Sequence, residues 1–218
     1  MKKVLFRGVI VFMMFAVGAV SAYLVYYPSE PLPVLKASDL NPKLVDSSLV
    51  NSTEDHFIGN FQLTNQDGEM ITPLTFKNKI YVANFIFTTC PKMCPLMTSN
   101  LKTVYESFNN DPEVSFLSHS VTPVEDSVPV LKAFANKYGI EGNQWHFVTG
   151  DKKHIYDLAR KNYFAATSLG DGGDHDFVHT ENFVLVDTKK RIRGIYDGTS
   201  FDQIDQLIED INTLKKEY

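Results

Sequence analysis

Blocks of apolar and polar residues with different periods succeed one another along the chain. Residues 8–27 carry no charge and are dominated by Val, Ile, Phe, Met and Ala. Twenty helical residues extend about 30 Å, the thickness of a bilayer's hydrocarbon, so this stretch predicts a transmembrane helix. Lys2, Lys3 and Arg7 precede it, and Tyr23, Tyr26 and Tyr27 gather at its far end. A basic flank stays cytoplasmic and aromatic residues favour the interface. The prediction is a single-pass anchor with its N-terminus in the cytoplasm and the remainder exported, to the periplasm or the outer face of a bacterial cell membrane. Val20-Ser21-Ala22 would also pass as the cleavage site of a signal peptide. The apolar run exceeds a signal core and continues beyond that site, which favours the anchor.

Residues 28–54 predict a linker, because Pro28, Pro31, Pro33 and Pro42 oppose regular structure and no strong hydrophobic period appears. The folded domain is expected over residues 55–218. Short strands at 61–63 and 70–71 flank Asn65-Gln66-Asp67-Gly68, a good hairpin turn. Residues 79–87 form an almost continuous apolar run, the pattern of a central strand buried on both faces. Met97, Leu101, Val104, Tyr105 and Phe108 then keep a helical period, and Pro95 suits that helix's first turn. The alternation continues with a strand at 114–121, a helix at 127–138 ended by Gly139, a strand at 145–148 and a helix at 151–164. A glycine-rich loop at 165–179 precedes strands at 182–186 and 192–196 and a last helix at 201–216. This order predicts an α/β, thioredoxin-like fold with an additional N-terminal β-hairpin, preceded by one transmembrane helix.

Composition narrows the function classes. The 218 residues leave room for one domain beside the anchor and linker, and 44% hydrophobic with 22% charged residues is ordinary for a folded protein. A net charge of −5 with no Lys/Arg cluster argues against nucleic-acid binding. Two cysteines are too few for a disulfide scaffold. Four residues apart, they would close only a tiny loop, so a chemical role is expected.

Cys90 and Cys94 fall where the central strand becomes the first domain helix. Helical spacing would put both on one face with Cα atoms roughly 6 Å apart, close enough for a disulfide. A helix N-terminus stabilises thiolates, the form that metals and disulfide exchange both require. Three residues separate the pair, Pro91-Lys92-Met93, where a thioredoxin-like reductase has two. The wider gap suits two sulfurs converging on one metal. Two buried apolar cysteines are the plainer alternative, opposed by the flanking prolines.

A third ligand must come from six histidines. His56 lies at the linker's end, His154 at a helix start, and His146 beside Trp145; such residues serve surface or packing roles. His119 is expected to pack in its strand. His175 and His179 occupy the loop before the closing hairpin, which a thioredoxin-like fold brings beside the first helix. His179 directly precedes a strand that can hold it, and is preferred over His175. Two thiolates and an imidazole form a soft set that favours copper; Cys-x3-Cys with His-x3-His would suit zinc.

The run Phe87-Thr88-Thr89-Cys90-Pro91-Lys92-Met93-Cys94-Pro95, together with Ser120-Val121-Thr122-Pro123, Trp145-His146-Phe147-Val148-Thr149-Gly150 and Val178-His179-Thr180, resembles the Sco/SenC copper chaperones over about residues 55–215. The resemblance implies a membrane-tethered thioredoxin fold binding Cu(I) or Cu(II) through the positions of Cys90, Cys94 and His179. It also implies delivery of copper to, or reduction of, the dinuclear copper centre of cytochrome c oxidase, so a metallochaperone rather than an enzyme. Two departures stand out. Val178 replaces the family's acidic residue before the histidine, and Thr122-Pro123-Val124 replaces Asp-Pro-Glu, both removing negative charge near the expected site. The alternatives are a membrane-tethered thiol–disulfide oxidoreductase, with Cys90 and Cys94 as its redox-active pair reducing partner cysteines, and a redox or copper sensor.

Overall fold

The computed structural model describes residues 2–26, 31–40, 42, 45, 54–166, 172–173 and 175–218. The chain divides into two compact units, Met1–Pro31 and Leu32–Tyr218. The first is helix α1, Lys2–Tyr26. Val11, Phe12, Met14, Phe15 and Val17 on it are exposed. Among the described residues no helix is long and apolar enough to cross a membrane. The predicted span of residues 8–27 runs past the described side chains, which end at Ser21, and the predicted aromatic belt lies outside them.

The second unit is built on one mixed seven-stranded sheet. Its strands are β1 (Leu63–Asn65), β2 (Met70–Ile71), β3 (Ile80–Ile86), β4 (Val114–Ser120), β5 (Trp145–Thr149), β6 (Asn182–Val186) and β7 (Ile192–Asp197). They lie in the order β2-β1-β5-β4-β3-β6-β7. β3, β4 and β5 run parallel, while β6 and β7 form an antiparallel edge beside β3. The predicted hairpin is present, and β1 also pairs antiparallel with β5, extending the sheet at its other edge.

Every residue of β3 is buried, and its alternation divides the core. Ile80, Val82 and Ile86 face α2 (Met93–Ser107), α3 (Val128–Lys137) and α5 (Phe201–Lys215). Tyr81, Ala83 and Phe85 face the opposite layer, made by α4 (Lys152–Asp157), the π-helical turn Leu158–Asn162 that continues it, and the segment leading into β1. Burial on both faces explains the unbroken apolar run, because no position meets water.

The predicted linker of residues 28–54 is partly docked. Leu35 donates its N–H to Ile192 O at 2.9 Å, and Ala37 and Val45 are buried in the core. Arg193 explains the attachment. Its guanidinium donates to the carbonyls of Leu32 and Pro33 and pairs with Asp187 at 3.2 Å and Glu217 at 2.7 Å. A single 3-10 turn forms at Ala37–Asp39, and the prolines do not oppose docking, since carbonyls remain acceptors in an extended chain. Residues 28–30, 41, 43–44 and 46–53 lie outside the described set.

Breaking a buried pair on one side strands the remaining charge. Arg193→Met is expected to destabilise the domain by about 3–5 kcal/mol and to open residues 32–36 to proteolysis, checked by urea unfolding and limited digestion.

Candidate metal centre

β3 ends at Ile86, and Phe87 to Cys90 form a turn closed by Cys90 N–H donating to Phe87 O at 3.3 Å. Helix α2 begins at Met93, so Cys90 precedes the helix and Cys94 lies in its first turn. The two sulfurs therefore do not share a helix face, as the spacing suggested; the turn brings them together. The N-cap, Lys92, makes no side-chain cap. Cys90 Sγ fills that role, accepting the Cys94 N–H at 3.3 Å.

Both cysteines are reduced and largely buried, Cys90 at 8% exposure and Cys94 at 6%. Their thiols are driven apart. Burial would raise the Cys90 thiol, yet the N–H groups of Cys94, Lys92 and Met93 and the Cys94 thiol hold it below its ordinary value. The Cys94 thiol is pushed up to about 12, chiefly by burial and then by Cys90 as its hydrogen-bonding neighbour. The first proton therefore leaves from Cys90, and the second is released only against that barrier.

The His179 loop is pinned beside the cysteine turn. Phe177 packs edge-on against Phe87, with ring centroids 5.3 Å apart. Arg160 holds Asp176 through two hydrogen bonds of 2.6 and 2.7 Å, which keeps that carboxyl below its ordinary range. Val178 is buried in the core, and Thr180 donates its hydroxyl to Ala165 O. At the loop's end Gly198 donates its N–H to Glu181 O at 2.7 Å; a Cβ there would meet the Phe183 ring at 2.6 Å. His179 and His175 are both exposed. Among the described residues no three His, Cys, Asp or Glu side chains are gathered where a metal could be held, so His179 does not join the cysteines in such a group here.

The other histidines serve packing. His119 is fully buried, stacked on Phe85 at 4.6 Å, and burial lowers it to about 4. His146 is buried beside Asn65, His56 bonds Asn162 O at 2.7 Å, and His154 lies in the first turn of α4.

One residue near the cysteines escaped sequence reasoning. Asp126 is fully buried and accepts from Thr88 N–H at 3.2 Å and from the hydroxyls of Thr88, Ser120 and Thr122 at 2.5, 2.6 and 3.0 Å. The two departures from the family pattern do not strip this region of negative charge, because Asp126 provides it from within. Its negative charge is among the causes that raise Cys94. Val178 follows from packing, since its site is apolar and enclosed. Only a Thr-rich, Ser-rich surrounding hinted at Asp126 in the sequence.

The chain resembles known proteins in sequence and fold. The SCO1/SenC family model matches residues 50–216. The SCO1 protein homolog of Bacillus subtilis is 30% identical over 155 residues, covering 70% of this chain and 80% of its own. A SCO1/SenC family lipoprotein from Bacillus anthracis superposes with a TM-score of 0.65 at 29% identity, covering 74% of this chain and 96% of its own. BsSco, a member of the Sco family of cytochrome c oxidase assembly proteins in which a disulfide switch was identified, gives 0.64 at 28%, covering 75% and 96%. Bradyrhizobium japonicum ScoI, solved with copper bound, shares the fold at 0.58 and 23%, covering 72% and 99%. The extent of the family match and the identity to the Bacillus subtilis protein together establish that this chain belongs to the SCO1/SenC family.

Proposed function

We propose that the chain is a copper-binding assembly factor that delivers copper to, or helps mature, the dinuclear copper centre of cytochrome c oxidase. Its ligands on this reading are the thiolates of Cys90 and Cys94 and the imidazole of His179. The carrying observation is the Cys90 sulfur seated on the N–H groups that open α2. A thiolate held there is available to a soft cation, and the second thiol lies beside it in the first turn of α2. Two sulfurs joined by an imidazole would fit copper. His179 is exposed on a loop whose flanking residues are fixed, so ligation would break no packing. The copper-bound relative and the cytochrome c oxidase context of BsSco support the cargo and the partner.

The cargo has a direct test. Reduced protein is expected to bind one copper per chain, with affinity rising about tenfold or more per pH unit between pH 6 and 8. The sign follows from Cys94: its thiol is protonated throughout that range, and a proton released on binding favours the complex as pH rises. Competition titrations with a chelator measure the slope. Preference for zinc with four protein ligands would overturn the copper reading.

The thiol–disulfide oxidoreductase is the second reading, favoured by the contact of the Cys94 N–H with Cys90 Sγ and by the disulfide switch of BsSco. It needs the cysteines alone, so His179 discriminates. His179→Ala is expected to keep some Cu(I), which tolerates two sulfurs, while losing the thiolate-to-Cu(II) charge-transfer absorption. Its metal-free melting temperature should hold, because the residue is exposed. His175→Ala should leave the spectrum intact. Unchanged spectra in both variants would put the oxidoreductase ahead.

Residues 1–27 on this reading are a cytoplasmic stub and single-pass anchor, 28–54 a linker that docks in part, and 55–218 the exported copper-binding domain. The uncharged run at 8–27 and the exposed apolar side chains of α1 support it, since such a surface has no polar face to offer water. A C-terminally tagged chain is expected in the membrane fraction and to resist high-salt extraction. A mature chain beginning at Tyr23 would show cleavage instead.

A further inference from the structure

The buried carboxylates and guanidinium groups of the domain are of two kinds, paired and unpaired. Buried Asp187 and Arg193 pair with each other and with the less buried Arg191 and Glu217, and buried Arg160 pairs with Asp176. Asp126 is different, being fully buried without an ion pair among the described residues. A lone buried carboxylate is costly unless hydrogen bonds satisfy it. All four of its donors belong to two short segments, and two of them belong to Thr88.

Those segments differ in role. Ser120 and Thr122 bracket the end of β4, where Val121 N–H donates to Ile86 O at 2.8 Å and Asp126 N–H returns to Thr122 O at 2.8 Å. Thr88 is the second residue of the Phe87–Cys90 turn, two positions before Cys90. Asp126 thus joins the end of β4 to the turn that carries the first sulfur.

We propose that Asp126 is a positioning residue for the cysteine pair: its carboxylate grips Thr88 from the end of β4 and so sets Cys90 Sγ against the Cys94 N–H. The Asn side chain accepts at one atom and donates at the other, whereas the four groups facing Asp126 all present protons in this arrangement. The assignment goes beyond the copper reading, since it concerns how the sulfurs are held, whatever they bind.

The test uses the full-length, metal-free chain in detergent, equilibrated with glutathione and glutathione disulfide. The Cys90 and Cys94 thiols join in one S–S bond while glutathione disulfide is reduced to two glutathione thiols. Loosening the turn lowers the effective concentration of one sulfur at the other. Asp126→Asn and Thr88→Val are each expected to lower the equilibrium constant for disulfide closure about tenfold, a shift of about 30 mV toward more oxidising potentials. Because both act through one contact, the double variant should shift no further than either single. Thr88→Ser keeps the hydroxyl and should remain at the wild-type value. Circular dichroism and melting identify folded variants; if Asp126→Asn does not fold, Thr88→Val against Thr88→Ser decides the matter. A wild-type equilibrium in Thr88→Val, or additive shifts in the double variant, would overturn the assignment. Copper is absent throughout, so failure of the copper reading leaves this outcome unaffected.

Discussion

The first N–H groups of an α-helix have no partner within the helix and must find acceptors elsewhere. In α2 the N-cap is a lysine, which has no acceptor to give. Cys90 sulfur takes the place of the missing cap by accepting the Cys94 N–H. Stability and reactivity meet in this interaction. The helix needs negative charge at its start, and the sulfur is most reactive when it carries that charge. The all-buried β3 and the turn after it serve to deliver Cys90 to this place.

From that contact follows the inequality of the two thiols. Cys90 is lowered by the N–H groups around it, while Cys94, buried beside it and near the Asp126 charge, is raised. A pair arranged so holds its second proton until something displaces it, whether a metal cation or the formation of a disulfide. The neighbouring loop is fixed by its apolar and backbone contacts rather than by its histidine. Phe177, Val178 and Thr180 are engaged while His179 is exposed.

The most buried ion pair among the described residues, Arg193 with Asp187, lies at the other end of the sheet. Val186 pairs with Tyr81 near the start of β3 and with Ile192 at the start of β7. Arg193 and its partners therefore cluster opposite the strand end that leads to Cys90. There they fasten residues 32–35 and the C-terminal Glu217 to the sheet. The sulfurs themselves answer to backbone N–H groups, to each other and to the Asp126 carboxylate.

The sequence by itself determined the alternation of strands and helices, the central strand, the closing hairpin and the pairing of Cys90 with Cys94. These depend on local periods of two and 3.6, on turn residues and on spacing, all carried by neighbours in the chain. It also marked Val178 and Thr122 as departures, but read them as lost charge. Only tertiary structure decided that Asp126 supplies a carboxylate there, that Cys90 caps α2 from outside it, and that residues 32–40 dock on the domain. The reason is physical: each depends on groups brought together across the fold, such as Thr88 with Asp126 or Leu32 with Arg193. An acid followed by serine looks like a solvated loop in one dimension. Its burial becomes visible only when three hydroxyls and an N–H converge on it.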